Sequence, residues 1–182
     1  MVIDMGGGTS DIAVLSLGDI VASESVRLAG DQLNSDIAEY IKEHHGLIIG
    51  EHTAERIKIK LGTAQKVDDP QTMEVRGRDV ASGMPKQIET NENEIADALH
   101  DTLEQIVRAS VAVLETVPPE LASDIIDRGI MLTGGTAMLH GIDKLFSDRL
   151  KVPVVVSQDP LDNVAKVLVS CWNACSLIAV KS

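Results

Sequence analysis

Apolar and polar residues change their spacing several times along these 182 residues. Short apolar runs at Met1–Asp4 and Ile12–Leu17, with the glycine turn Gly6–Gly8 between them, predict two strands. Gly18-Asp19 then turns the chain into a third run, Ile20–Arg27, which is a hairpin signature. From Asp31 the period lengthens: Leu33, Ile37, Tyr40 and Ile41 recur at helix spacing, and Gly46 is a stop. A second helix fits Thr53 to Leu61, closed by Gly62. Gln65–Gln71, polar and containing Asp68-Asp69-Pro70, reads as a loop.

Two short strands follow at Thr72–Arg78 and Lys86–Thr90. A long helix then starts at Asn91-Glu92-Asn93-Glu94 and runs to about Thr116, where Pro118-Pro119 ends it. Its apolar face comprises Ile95, Leu99, Leu103, Ile106, Val107, Val111 and Leu114. The remainder reads as a short helix, a buried-type strand Gly129–Leu132, a glycine turn, and a helix from near Met138 to near Leu150. A strand Val152–Val156 follows. Strands alternating with helices at both ends, around a more polar middle, predict an α/β core interrupted by a small α+β insertion. No internal repeat is visible.

Composition narrows the function classes. Sixteen Lys+Arg against 28 Asp+Glu give a formal net charge of −12, which argues against nucleic-acid or anionic-membrane binding. One Phe, one Trp and one Tyr leave no platform for stacking bases. Cys171 and Cys175 are too few for a disulfide-stapled fold. The chain opens without a basic leader or signal-type apolar stretch. The longest apolar-leaning run, Val167 to Val180, has 14 residues where a bilayer needs about 20. A cytoplasmic protein is expected. His44, His45, His52, His100 and His140 lack metal-ligand spacing.

The segment Asp4-Met5-Gly6-Gly7-Gly8-Thr9-Ser10-Asp11 carries the most chemistry. A strand delivers Asp4, and three glycines permit a tight turn whose backbone N–H groups face one space, a nest suited to phosphates. Asp4 at the strand end is placed to hold a hydrated Mg²⁺ or to orient water. The same text also suits a plain glycine-rich hairpin with an acidic flank. A second turn, Thr133-Gly134-Gly135-Thr136-Ala137, follows a buried-type strand and opens a helix, which is either an anion site or a close helix–strand crossing.

Together, about 125 residues apart, the two turns resemble the second phosphate loop and the adenosine motif of the superfamily of actins, sugar kinases and heat-shock-chaperone ATPases. Arg27-Leu28-Ala29-Gly30-Asp31, Glu51 to Lys58, Glu74-Val75-Arg76-Gly77-Arg78-Asp79 and Pro118-Pro119-Glu120-Leu121-Ala122 are similar to the MreB family of bacterial actins, over residues 1 to about 166. The resemblance implies an actin-like, ribonuclease H-like ATPase lobe. Residues 1–31 and 91–182 would form the larger lobe, and 32–90 an inserted smaller subdomain. It implies ATP and Mg²⁺ as cofactors. Gly6, Gly7, Gly8 and Thr9 would lie at the phosphates and Asp4 near the metal. Asp31 would face the cleft as a second catalytic acid, or simply cap its helix. Glu55, Arg56, Ile57 and Lys58 would lie along the adenosine, although Glu55 and Lys58 also suit a solvated surface pair. Gly134, Gly135, Thr136 and Ala137 would form the adenosine motif. Thr136 stands where the family usually has a third glycine, so its Cβ is expected to crowd the purine or ribose.

The family assembles with ATP into cytoplasmic, membrane-associated filaments that guide wall synthesis and maintain rod shape. Expected partners are further copies of itself, a RodZ-like membrane anchor and the wall-synthesis machinery. Nothing in the sequence matches the family's first phosphate loop, the acidic residue that positions the hydrolytic water, or the membrane-inserting segment. Poor or no ATP hydrolysis by this chain alone, and no direct membrane insertion, are therefore expected. A module that only binds the filament's anchor, or a catalytically inactive remnant, is the alternative. After Lys166 the family's glycine-bearing helix gives way to Val167–Ser182. One base restored after the Lys166 codon would allow Lys-Gly-Ala-Gly-Ile-Leu-Leu-Glu-Arg, so a frameshifted tail is expected.

Overall fold

The computed structural model describes residues 1–17, 19–157 and 160, and Cys171, Cys175 and the tail from Val167 lie outside them. Three strands open the chain: β1 (Val2–Met5), β2 (Ser10–Ser16) and β3 (Asp19–Val26). They form an antiparallel meander, with Met5 opposite Ser10 and Asp4 opposite Asp11. Alternation along β2 places Ser10, Ile12 and Val14 inward and Asp11 outward, as a half-buried strand requires. The sheet is completed from the far end of the chain. Strand β7 (Ile130–Thr133) pairs parallel with β1, and β8 (Val154–Val156) pairs parallel with β7, giving the order β3-β2-β1-β7-β8.

Between these halves lie α1 (Gly30–His45), β4 (Leu47–Ile48), α2 (Glu51–Leu61), β5 (Thr72–Asp79) and β6 (Pro85–Asn91). Strands β4, β5 and β6 make a second, antiparallel sheet of three. Helix α3 (Glu92–Thr116) is the long helix that the pattern predicts, and it packs against α1, β2 and β3. Its start is fixed by a capping box. The Asn91 side chain accepts from the backbone N–H groups of Asn93 and Glu94, while Glu94 accepts from the Asn91 backbone. The carboxylate of Glu94 also accepts from Thr90 Oγ1 at 2.6 Å, joining the cap to β6. Pro118 and Pro119 close the helix and open α4 (Pro119–Arg128).

The main apolar cluster is continuous. Ile3, Met5 and Ile12 from the sheet, Leu33, Ile37 and Ile41 from α1, Ile57 from α2, and Ile95, Leu99, Leu103 and Ile106 from α3 are buried in it. Phe146, the one phenylalanine, is fully buried on α5 (Ile142–Leu150). With aromatics so scarce, branched aliphatic packing holds the elements together.

Three elements differ from their sequence pattern. The two-residue β4 is too short to show a period. The helix expected from near Met138 is instead a 3₁₀ turn, Gly135–Met138, followed by a break and then α5. The break arises because His140 pairs with Thr63: Ala64 N–H donates to His140 O at 2.8 Å, and His140 N–H to Gly62 O at 3.3 Å. Gly141 at φ 72 then re-aims the chain into α5. The last strand begins at Val154 rather than Val152. Among the described residues no helix is long and apolar enough to cross a membrane.

The capping box carries a direct stability test. Asn91→Ala leaves two helix N–H groups without their acceptor and is expected to lower unfolding free energy by about 1 kcal/mol. Urea denaturation monitored by circular dichroism should show the midpoint fall with the slope unchanged.

Candidate functional site

The parallel pairing of Asp4 with Thr133 sets the two glycine turns side by side, because each leaves the same end of adjacent strands. Gly134 is at φ 87, ψ 166, a region that is essentially glycine-only. A Cβ there would collide with the Met5 carbonyl and lie 2.6 Å from Asp4 Oδ1. The second turn is thus pressed directly onto the end of β1.

The first turn is organised by carbonyls rather than by glycine torsions. None of Gly6, Gly7 and Gly8 lies in the left-handed region. A Cβ on Gly6 would sit 3.5 Å from Thr9 O, one on Gly7 3.7 Å from Asp31 Oδ1, and one on Gly8 3.9 Å from Asp31 Oδ2, all ordinary contacts. Gly6 N–H donates to Thr9 O at 3.0 Å and closes the turn. Gly6 O accepts from Gly30 N–H at 3.1 Å and from Thr136 Oγ1 at 3.1 Å, and Gly7 O accepts from Asp31 N–H at 2.8 Å.

Because a trans peptide is planar, its N–H points opposite to its C=O. With the Gly6 and Gly7 carbonyls turned toward α1 and the second glycine turn, the N–H groups of Gly7 and Gly8 face away from them. Neither N–H has a protein acceptor among the described residues. Successive unpaired N–H groups on an exposed turn are the kind of donors from which anion-binding nests are made.

A shallow cavity of about 380 Å³ opens over this turn, lined by Asp4, Gly6, Gly7, Thr9, Asp11, Gly134, Gly135 and Pro160. Asp4 and Asp11 face each other across β1 and β2, and Thr9 Oγ1 donates to Asp11 Oδ2 at 3.1 Å. Partial burial, and then the Asp11 charge, raise the Asp4 carboxyl above the usual carboxylate range. Asp11, an acidic flank of the glycine turn in the sequence, lines the cavity and joins the candidate site residues. Hairpin register points to it: a turn that puts Met5 opposite Ser10 must put Asp4 opposite Asp11.

A second cavity, of about 150 Å³, continues from Gly135 and Thr136 along Met138 and Leu139 to Lys58, Ile59 and Gly62. Lys58 does not extend freely into it. Its Nζ donates to Gly30 O at 2.8 Å. Burial lowers the Lys58 pKa, and the charges of Glu55 and Asp31 partly oppose that. Thr136 is buried, with its hydroxyl directed to Gly6, and Ala137 is buried behind it.

The residues of α2 separate. Glu55 is exposed beside Lys58, and Ile57 is wholly inside the core, where it seats the helix. Arg56 turns to a different groove with Lys60, Met73, Glu74 and Arg76. Asp31 is exposed at the start of α1, close over Gly7 and Gly8. Among the described residues no group of three or more His, Cys, Asp or Glu side chains could hold a metal ion unaided.

The sequence model of the MreB/Mbl protein family matches residues 1–178. The chain belongs to the MreB/Mbl family. It is 50% identical over 165 residues to the cell shape-determining protein Mbl of Bacillus subtilis, covering 91% of this chain and 50% of that protein. It is 48% identical over 166 residues to the cell shape-determining protein MreB of Escherichia coli, covering 91% of this chain and 48% of that one. The chain therefore spans about half the length of these MreB and Mbl relatives. MreB5 of Spiroplasma citri bound to ADP superposes on all of this chain with a TM-score of 0.95 and 35% identity, over 55% of its own length. The MamK double helical filament matches 87% of the chain, and 49% of its own, with a TM-score of 0.71 and 19% identity, a likeness of fold. The actin-like fold of the MreB/Mbl family is thereby established for this chain.

Two outcomes follow from this geometry. Gly134→Ala should cost roughly 1–3 kcal/mol from backbone strain alone, before the collision with Met5 is counted. Urea unfolding measures the loss. Asp4→Asn removes a carboxylate that the fold disfavours. A folded pKa raised above the unfolded 3.8 means the wild type loses stability as pH climbs from 3.8 through the raised value. The ligand-free Asn variant should therefore melt above wild type at pH 7, and the gap should close below about pH 4. Thermal melts across that range check it.

Proposed function

We propose that this chain contributes a nucleotide-binding wall to an ATP-dependent, filament-forming MreB/Mbl protein that determines cell shape. One observation carries the reading: among the described residues the Gly7 and Gly8 N–H groups have no protein partner, and neither glycine has a positive φ or a neighbour that a Cβ would strike. A glycine that the fold does not require leaves room for something to approach the backbone, and a phosphate suits two neighbouring N–H donors. The ADP-bound state of the S. citri MreB5 structure, so similar in fold, supports a nucleoside diphosphate or triphosphate as that group.

On this reading the turn Gly6–Thr9 binds the phosphates. The cavity along Gly134, Gly135, Met138, Leu139 and the Lys58 side of α2 takes the adenosine, with Glu55 at its edge. Asp4 and Asp11 fit Mg²⁺: they form a pair of opposed carboxylates, one already held above its usual pKa by burial and by the other. Mg²⁺ is commonly held through one or two carboxylates together with substrate phosphates. When bound, it would neutralise phosphate charge beside this acidic pair. Asp31, above Gly7 and Gly8, faces the same space, where it would orient water rather than bind phosphate directly.

The division into 1–31 with 91–182 and 32–90 belongs to the same proposal. It is supported by the split between the five-stranded sheet and the three-stranded sheet of the middle segment. Self-assembly into filaments beneath the membrane, and engagement of a RodZ-like anchor and the wall-synthesis machinery, belong to the same proposal as the setting in which this wall would work.

Calorimetric titration of the full 182-residue chain with Mg·ADP tests the reading. Saturable one-to-one binding in the sub-millimolar range, stronger than about 4 kcal/mol, is expected. Gly7→Ala should leave thermal stability near wild type, because its Cβ meets only ordinary contacts. The same change should weaken ADP by about tenfold or more, which is about 1.4 kcal/mol. Equal ADP affinity in Gly7→Ala and wild type would refute the phosphate assignment.

A further inference from the structure

Resting on the nucleotide reading above, we infer that Thr136 is a positioning residue that aims the phosphate-binding N–H of Gly7 through the peptide plane it shares with Gly6. Thr136 stands where the family usually has a glycine, and on the resemblance its Cβ is expected to crowd the adenosine. The structure gives the side chain another occupation. Its hydroxyl is buried and donates to Gly6 O at 3.1 Å across 130 residues of sequence. Gly6 O also accepts from Gly30 N–H at 3.1 Å. Donors from two distant segments therefore hold one carbonyl.

The consequence is mechanical. Gly6 C=O and Gly7 N–H belong to one rigid planar unit. Flanked by glycines, that unit is otherwise the least restrained part of the turn, since glycine torsions are free over a wide range. Fixing the oxygen by two hydrogen bonds fixes the direction of the Gly7 N–H, and a donor already aimed binds an anion without an ordering cost. The neighbouring unit has its own restraint in Gly7 O, which accepts from Asp31 N–H at 2.8 Å.

The surroundings leave little slack. A Cβ built on Gly30 would sit 3.2 Å from Lys58 Nζ, 3.3 Å from Gly6 O and 3.4 Å from Thr136 Oγ1, so these groups crowd one point. Lys58 closes the knot by donating to Gly30 O at 2.8 Å. A residue with only hydrogen at 136 would leave Gly6 O held by Gly30 alone. Thr136 thus couples the second glycine turn to the first, and its effect falls on the phosphate end of a ligand.

The test removes the hydroxyl and compares ligands with and without phosphate. Thr136→Val, or Thr136→Ala should the valine variant fail to fold, is compared with Thr136→Ser in the full chain. Native-state hydrogen exchange without ligand should show the Gly30 amide exchanging about tenfold faster in the Val or Ala variant. Mg·ADP should bind five- to tenfold more weakly there, with adenosine binding unchanged, and Ser should restore both. Unchanged Gly30 exchange together with unchanged ADP affinity would overturn the inference. So would an equal loss for ADP and adenosine, which would place Thr136 at the base or sugar. If wild type binds no ADP, the nucleotide reading fails, and the exchange measurement alone then judges the coupling.

Discussion

The parallel register of β1 on β7 is the constraint on which the rest of this face depends. Asp4 opposite Thr133 brings together two turns that the sequence separates by more than a hundred residues. The contact is closer than side chains permit: Gly134 lies against the Met5 carbonyl, where a Cβ has no room. The turn after β7 can then send Thr136 to Gly6, and the intervening chain returns Gly30 and Asp31 to the Gly6 and Gly7 carbonyls. A one-residue slip of β7 would exchange its inward and outward positions, move Ile130 and Leu132 out of the core, and part the two turns.

Charge on the face sharpens what it can accept. The chain carries a net −12, and Asp4, Asp11 and Asp31 ring the first turn. Among the described residues no Lys or Arg lines the cavity over it, and the Lys58 ammonium is already committed to Gly30 O. An anion on Gly7 and Gly8 would therefore meet backbone donors and carboxylates rather than a compensating side-chain charge. On the proposed reading, that is why a divalent cation must accompany the phosphates: it turns the Asp4–Asp11 pair from a repulsive surface into an attractive one. The Asp11 charge also contributes, after partial burial, to the raised pKa of Asp4.

Much of the fold was legible because it follows period and punctuation. The β1–β2–β3 meander shows in apolar runs split by glycine turns, and α3 in a helical stripe between an Asn-x-x-Glu cap and a double proline. Strand β4 was not legible, since two residues have no period. The start of α5 was misread because nothing near Met138 in sequence reports that His140 pairs with Thr63. At the candidate site the glycine turns stood out, as did Asp4 at a strand end, whereas Asp31 was legible only through the resemblance, since an acid at a helix start is ordinary. The tie from Thr136 to Gly6 and that from Lys58 to Gly30 were not legible. Each joins a side chain to a backbone atom far away in sequence, and backbone acceptors leave no mark on residue identity. Ile57 shows the converse: within a matched motif, a fully buried position serves packing rather than a ligand.

The glycines themselves separate what the fold needs from what a ligand would need. Gly134, Gly62 and Gly77 sit where a Cβ would strike a neighbouring carbonyl, so the chain's own packing accounts for each. Gly7 and Gly8 meet no such obstacle, and neither has a positive φ. In a turn, such residues cost conformational entropy without relieving any strain in the protein. Their cost is offset only if something outside the chain comes close to the backbone there. That asymmetry is independent of any resemblance, and it falls on the two residues whose N–H groups have no partner among the described residues. Two separate physical tests, steric need and hydrogen-bond satisfaction, thus select the same two peptide units, and the proposed phosphate contact rests on both.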